Sequence, residues 1–407
     1  MTLPFAESLP VSQPDDPYLP IVRQVFRVDD VTWGTEKQNF LLRYRGHLIM
    51  ESELAYEKVS TALRSLDVTP LFRTESGQET IFLLKGIVRP KPSNPWINLI
   101  FFILTGLSVI FAGTLFEYTG PISSDLQVIL PHVLPALTRG AYFAISLLAI
   151  LLAHEFGHYL AARFHHSAVT LPYFIPFPLS PFGTMGAFIQ LKEPPRNKRI
   201  LLDIGLAGPL AGLVVAIPVL LLGLYLSELG QLPRSVPAGQ ALPLEGNSIF
   251  YLVTKYLVFN RWLPAPVSYN GVNPLIYWIQ YIFTGRPVPF GGQDVLLHPV
   301  AWAGWSGLLV TSLNLIPAGQ LDGGHALYVL LGRRARAILP IVLFALVALG
   351  FVWPGWWLWA AIVFFLGRVF AEPLDQITPL DPKRKILAAC GLLLFFLLFI
   401  PIPLPNF

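Results

Sequence analysis

Apolar runs of nearly membrane-spanning length recur from Trp96 to the end of the chain, and they strongly limit how it can fold. A helix needs about 20 predominantly apolar residues to cross a bilayer. Hydrophobic residues make up 54% of the 407 residues, whereas Lys, Arg, Asp and Glu make up only 13%, against about 25% in soluble proteins. This composition excludes a disordered chain and a typical cytosolic enzyme. The single cysteine, Cys390, excludes a disulfide scaffold and a cysteine-based metal site.

The apolar runs predict a polytopic α-helical membrane protein with about seven spans or more. The predicted spans cover residues 97–116, 140–161, 205–226, 298–316, 337–353, 357–371 and 387–401. Residues 227–297 form a long loop with two aromatic segments, which we expect to lie along the membrane surface or to re-enter it. Membrane lipid is therefore an expected partner.

Charged residues are concentrated before the first span, which indicates a small soluble domain. Residues 1–20 are rich in Pro and Asp and are predicted to be disordered. Residues 21–88 are predicted to form an α+β domain, with strands at 40–45, 47–49, 69–72 and 80–84 and a helix at 51–66. Residues 89–95 are a basic, proline-containing linker, and residues 96–404 form the transmembrane domain.

Lys and Arg near the span ends predict the orientation in the membrane. If seven spans alternate, most of these basic residues fall on the side of Arg89 and Lys91, so we expect a cytoplasmic N-terminal domain. The first residues resemble neither a signal peptide nor a transit peptide, which predicts no cleaved leader and a prokaryotic source. The net charge of +4 is explained by basic cytoplasmic loops, so we expect no nucleic-acid partner.

A metal-binding pattern lies inside the second predicted span. His154 and His158 are four residues apart, so on a helix they share one face and can bind one Zn²⁺ together. Glu155 lies beside them and can take a proton from water. The pattern HExxH alone is weak. Three ionisable residues within five positions of a membrane helix, however, need partners or a metal, which favours the metal site.

A third ligand is expected because catalytic zinc usually has three protein ligands and one open position. Asp322 follows the fourth span and returns to the same membrane face as the two histidines. Pro317 and Gly319 break the helix before it, and broken backbone at membrane depth tends to line a cavity. Without the histidines, an ordinary Asp-Gly turn would be the default reading. Asn314 could stabilise an oxyanion or bond between packed helices, and the sequence leaves both roles open.

These motifs resemble a known family. HEFGH at 154–158 and NLIPAGQLDGG at 314–324 together resemble the site-2 protease family of intramembrane zinc metalloproteases, peptidase family M50. FGTMGAF at 182–188 and LAGPLAGL at 206–213 are similar to its cyanobacterial and plant-plastid branch, which includes the plant ethylene-dependent gravitropism-deficient and yellow-green proteins. The resemblance implies zinc ligation by His154, His158 and Asp322, with Glu155 as catalytic base.

The segment between the second and third spans suggests a substrate-binding loop. Gly183, Thr184, Met185 and Gly186 precede a predicted strand, and an exposed strand edge can align an extended substrate by β-addition. Such alignment suits a protease whose helical substrate must unwind before cleavage. A simple interfacial hairpin is the alternative, which the residues alone would favour.

The predicted function is an intramembrane zinc endopeptidase that hydrolyses peptide bonds in or near transmembrane segments of membrane proteins, as in regulated intramembrane proteolysis. We expect a multi-pass protein of a prokaryotic plasma or thylakoid membrane. A polytopic metal-binding transporter and a catalytically silent membrane chaperone are the alternatives. A Gly-x-Ser-Gly motif at 304–307 matches rhomboid serine proteases, but no histidine base lies at the depth of Ser306 on another span.

Overall fold

The structure is a computed structural model that describes residues 16–35, 38–121, 123, 125–236 and 244–405. The chain forms two compact units. The first contains Met1–Arg89 together with Pro373–Pro379, and the second contains Pro90–Glu372 and Leu380–Phe407.

The first unit is a four-stranded antiparallel sheet with one long helix on it. Its strand order is β1-β2-β4-β3, and the side chains of Tyr44, Val59 and Phe72 are fully buried in its core. The elements, in chain order, are α1 Leu19–Val22, β1 Phe26–Trp33, β2 Leu42–Leu48, α2 Ser52–Leu63, β3 Val68–Glu75 and β4 Gln78–Lys85. The sheet and helix agree with the predicted α+β pattern, although β2 is one strand where two were expected and β1 was not predicted.

Residues 16–20 differ from the prediction of a disordered N-terminus. The Tyr44 hydroxyl donates to the Asp16 carboxylate at 2.8 and 2.9 Å, and the Tyr18 amide donates to the same side chain. These bonds fix the start of α1 against the sheet, because a buried hydroxyl needs a partner. Residues 1–15, the rest of that prediction, lie outside the described residues.

Residues 373–379 belong to the first unit, although the sequence assigned them to the transmembrane domain. The Phe72 amide of edge strand β3 donates to the Leu374 carbonyl at 3.0 Å, so the segment extends the sheet. Asp375 is 1% exposed and accepts a hydrogen bond from Ser52 Oγ at 2.9 Å. The segment therefore covers a sheet edge that would otherwise leave backbone groups unpaired.

The second unit is mostly helical. Its helices are α3 Pro95–Glu117, α4 Leu126–Phe164, α5 Lys198–Tyr225, α6 Ile249–Phe259, α7 Pro274–Thr284, α8 Pro299–Asn314, α9 Asp322–Leu331, α10 Leu339–Gly350, α11 Gly355–Leu366 and α12 Pro382–Leu398. Within the described residues it also contains a hairpin of β5 Tyr173–Pro176 with β6 Thr184–Phe188. A second two-stranded antiparallel sheet pairs β7 Glu228–Gln231 with the distant β8 Gln293–Leu296. Helices α4, α5 and α8 pack against one another and form the centre of its core.

In the part of the chain that the structure describes, three helices, α3, α4 and α5, are long and apolar enough to cross a membrane. The other predicted spans coincide with α8, α10, α11 and α12, which have 12 to 17 residues. A count of about seven spans therefore stays a prediction. The chain is a helical membrane protein with an N-terminal sheet domain.

The long loop after α5 is fastened by a buried ion cluster. Lys255 of α6 is fully buried, with its Nζ 3.4 Å from Glu245 Oε1 and 3.6 Å from Asp294 Oδ1. The Tyr251 hydroxyl also donates to Glu245, at 3.0 Å. Burial raises the pKa of the Glu245 carboxyl, although the neighbouring ammonium opposes the shift. Burying these charges is tolerable only because they are paired.

Candidate metal centre

Helix α4 carries two imidazoles and one carboxyl group on one buried face. The ring centroids of His154 and His158 are 5.0 Å apart, as expected for side chains on successive turns. Both rings and the Glu155 side chain are buried. The helix therefore places the residues of the HExxH motif as the spacing predicted.

Asp322 reaches the same point from the other side of the core. The chain reverses after α8 through a short irregular segment, and α9 begins at Asp322. The reversal is tight, because a Cβ at Gly323 would lie 1.9 Å from the Leu315 carbonyl oxygen. A carboxylate in the first helical turn is also favoured by the free backbone N–H groups there. The break between α8 and α9 therefore places the Asp322 carboxylate next to the two histidines.

The spacing of the three side chains fits a tetrahedral zinc ion. Asp322 Oδ2 lies 3.4 Å from His154 Nε2 and 3.4 Å from His158 Nε2. One candidate ligand atom from each residue lies within 4.8 Å of the other two. With zinc–ligand bonds of about 2.0–2.2 Å, tetrahedral ligand atoms are about 3.3–3.6 Å apart. Two imidazole nitrogens and one carboxylate oxygen are also a ligand set found in catalytic zinc sites.

A backbone carbonyl fixes the orientation of the His158 ring. His158 Nδ1 lies 2.7 Å from the Ile204 carbonyl oxygen of α5. A carbonyl can only accept, so Nδ1 carries the proton and Nε2 keeps its lone pair for a metal. Such an outer contact is typical of metal-binding histidines. Sequence reasoning missed it, because a backbone carbonyl leaves no signal in residue identities.

An ion-pair network holds the end of α5 that supplies this carbonyl. Asp203, which precedes Ile204, accepts from Arg384 Nε at 2.8 Å and Nη2 at 2.6 Å. His165 Nε2 lies 3.0 Å from the same carboxylate. The network joins the end of α4 to the starts of α5 and α12. His165, the residue just after α4, thus has a defined partner on α5.

Asn314, the last residue of α8, lies at the centre. Its Nδ2 is 3.3 Å from His154 Nε2. The structure therefore brings all five residues predicted for catalysis or metal binding to one place: His154, Glu155, His158, Asn314 and Asp322.

The β5–β6 hairpin lies beside this group, and its four predicted substrate-binding residues differ in their surroundings. Strand β6 contacts α4, and the backbone of Ile189, one residue beyond β6, lies close to the Glu155 carboxylate. Gly183 packs against α3, and the Thr184 hydroxyl donates to the Ile175 carbonyl within the hairpin. Gly186 has a left-handed backbone, whereas Met185 is 61% exposed and is the free side chain among the four.

The serine of the alternative protease motif is enclosed in the packing between helices. Ser306 is fully buried in α8, and its hydroxyl donates at 2.7 Å to the Trp302 carbonyl of the same helix. Its neighbour Gly304 packs against the backbone of Leu220. These small residues make a close helix contact and do not form a nucleophile site.

Comparison with known proteins identifies a peptidase family. The sequence profile of peptidase family M50 matches residues 142–352, which include both parts of the centre. The chain is 30% identical to the probable zinc metalloprotease EGY1, chloroplastic, of Oryza sativa subsp. japonica, over 88% of this chain and 62% of the relative. It is 27% identical to EGY1 of Arabidopsis thaliana, over 79% of this chain and 56% of the relative. It is 28% identical to EGY2 of the same plant, over 88% and 60%.

The chain spans about three fifths of the length of these relatives. None of the solved structures matches it. The family profile nevertheless covers half of the chain and contains His154, His158 and Asp322. The protein belongs to peptidase family M50, the site-2 protease family of membrane-embedded zinc metalloproteases, and is similar to its plant EGY members.

Proposed function

We propose that the chain is an intramembrane zinc endopeptidase that hydrolyses peptide bonds in or near the transmembrane segments of other membrane proteins. The observation that carries the proposal is the convergence of His154, Glu155, His158 and Asp322 in the buried core around a helix long enough to span a membrane. Ionisable residues buried inside a membrane domain mark a functional site, and this one would act on a peptide bond that itself lies in the membrane.

The chain's own residues divide the chemistry between them. His154, His158 and Asp322 would hold the zinc ion. The bound ion would act as a Lewis acid that polarises a carbonyl and lowers the pKa of water. Glu155 would accept the proton of the attacking water and deliver it to the leaving amine. Asn314 would donate its amide N–H to the developing oxyanion, a role supported by its Nδ2 lying 3.3 Å from His154 Nε2.

The β5–β6 hairpin would align the substrate. Strand β6 pairs with β5 along one edge, and the backbone just beyond its end contacts Glu155. A substrate strand added to the other edge would pass the catalytic base in extended form. Exposed Met185 and Phe188 would then contact the substrate's side chains.

The natural substrates would be membrane proteins with a single span, cleaved in regulated intramembrane proteolysis. The distribution of Lys and Arg supports a cytoplasmic N-terminal domain, with the centre nearer the cytoplasmic side of a prokaryotic plasma or thylakoid membrane. The N-terminal sheet domain would bind or screen substrates before they reach the centre.

A reconstituted cleavage assay tests the proposal. The zinc-loaded full chain is placed in liposomes with a tagged single-span protein, and products are mapped by mass spectrometry. We expect a cut within or near the span that a zinc chelator stops and added zinc restores. Cleavage confined to soluble segments, or unaffected by the chelator, would contradict the proposal. Zinc flux across the vesicle without cleavage would favour the transporter.

A further inference from the structure

We infer that Asn98 and Ser108 of α3 are positioning residues that hold the β5–β6 hairpin at both ends and so determine which peptide bond of an added substrate strand faces Glu155. This inference rests on the proposed function. It concerns a helix that carries none of the residues of the metal centre.

Asn98 fastens the start of the hairpin. Its side chain is 5% exposed, and Nδ2 donates to the Leu171 and Pro172 carbonyls, both at 2.9 Å. These two residues lead into β5. Because water is absent at membrane depth, carbonyls outside a strand or helix need a protein donor. The Asn98 side-chain amide therefore donates to both backbone carbonyls at the point where the hairpin begins.

Ser108 fastens the other end. Its hydroxyl donates at 2.6 Å to the carbonyl of Gly183, the residue before β6. Gly183 has a φ of +71°, and a Cβ there would lie 2.5 Å from the Val109 Cα atom. Only glycine allows this approach, so the backbone rests directly on α3.

The separation of the two anchors matches the hairpin. Ten residues of α-helix between Asn98 and Ser108 rise about 15 Å. Strands of four and five residues span about 13–17 Å. Between the anchors, Phe102 packs edge-on against buried Phe174 of β5, with ring centroids 5.1 Å apart. Helix α3 thus holds the hairpin along its full length.

Asn98 and Ser108 are two of the buried polar residues of α3. Positions between them present exposed apolar side chains such as Ile100, Ile103 and Leu107, as a spanning helix should. Both polar bonds go to hairpin backbone carbonyls, not to another helix. This choice of partner distinguishes a support for the hairpin from ordinary bonding between packed helices.

The position of the hairpin on α3 is transmitted to the catalytic base. The β5–β6 register pairs Tyr173 with Phe188, and β6 contacts α4, the helix of Glu155, with the backbone of Ile189 close to its carboxylate. A slip of one residue moves a strand by about 3.3 Å and turns its side chains to the other face. Loosening either anchor should therefore let the hairpin present neighbouring peptide bonds.

The test uses the zinc-loaded full chain in liposomes with a single-span substrate. Asn98→Ala and Ser108→Ala should keep their zinc but lower kcat/KM by about 10- to 100-fold, and mass spectrometry should show new cuts at neighbouring bonds. Ser108→Thr, which keeps the hydroxyl, should restore the single site. Ser306→Ala removes a buried hydroxyl that bonds within its own helix, and this control should leave the cleavage map unchanged.

Unchanged kcat/KM and cleavage maps in both alanine variants, alongside an active wild type, would overturn the inference alone. An inactive wild type would count against the proposed function instead. If the alanine variants do not fold, Asn98→Gln decides, since it keeps the amide but lengthens the side chain by one methylene. Displaced cleavage sites in Asn98→Gln would support the inference, and unchanged sites would overturn it.

Discussion

The packing of α5 against α4 predicts that Gly208→Ala will weaken zinc binding without disrupting the helices. A Cβ at this position would lie 2.0 Å from His158 Nε2 and 2.3 Å from Cδ2 of the same ring. Ordinary contacts of a Cβ begin at 3.4 Å, so the ring would have to move by about 1.4 Å. The substitution itself favours an α-helix, because alanine has the higher helix propensity.

The expected loss of zinc affinity follows from that displacement. Zinc–ligand distances are held to within about 0.2 Å in working sites. The ring also cannot retreat freely, because its Nδ1 bonds to the Ile204 carbonyl on the same helix as Gly208. Disturbing groups that only orient a ligand costs about 10- to 100-fold in metal affinity. Displacing His158 itself should therefore cost at least about 100-fold.

Two other glycines give matched controls on membrane helices. A Cβ at Gly212 would lie 3.1 Å from His154 Nδ1, and one at Gly106 would lie 3.8 Å from Leu148 Cδ1. The alanine variants should therefore lose affinity in the order Gly208, Gly212, Gly106, with the last close to wild type. Zinc binding is measured by elemental analysis across buffered zinc concentrations, and folding by thermal unfolding. A Gly208→Ala protein that binds zinc as tightly as wild type would refute the packing argument.

Three further predictions concern single side chains. Asp322→Ala removes a ligand and should lower zinc affinity by at least about 100-fold; elemental analysis showing full stoichiometry at limiting zinc would remove Asp322 from the ligand set. Ser306→Ala should keep full proteolytic activity in the liposome assay, because its hydroxyl bonds within α8; loss of cleavage would revive the serine mechanism. Asp375→Ala should destabilise the first unit by about 2 kcal/mol, because it leaves buried donors unpaired. The loss of stability is measured by hydrogen exchange of the β3 amides, with Asp29→Ala, a change at an exposed residue, as the control. Equal protection of β3 in the two variants would contradict the prediction.

The metal centre could be predicted from sequence because its geometry is local or depends on simple counting. The spacing of His154 and His158 fixes a shared helix face. Asp322 was assigned by counting crossings and by the glycines and proline that break the helix before it. The i, i+4 face and the helix break both appear in the structure.

The parts that were missed depend on long-range contacts or on backbone groups. Strand β1 was hidden because an irregularity between Val28 and Asp30 shifts the alternation of apolar residues by one position. In the sequence, nothing distinguishes Asp375 from an exposed acidic residue of a loop. Its burial is explained by its hydrogen bond with Ser52, which is far away in sequence. The anchoring of the hairpin by α3 likewise joins side chains to backbone carbonyls, which no residue pattern records.

Glu155→Gln separates the role of the catalytic base from that of the zinc ligands. Zinc content and cleavage are measured on the same purified, reconstituted protein. Because the three ligands are untouched, the account predicts a zinc content equal to wild type together with a loss of cleavage of about 10²- to 10⁴-fold. Undiminished cleavage by the zinc-loaded Glu155→Gln protein would contradict it.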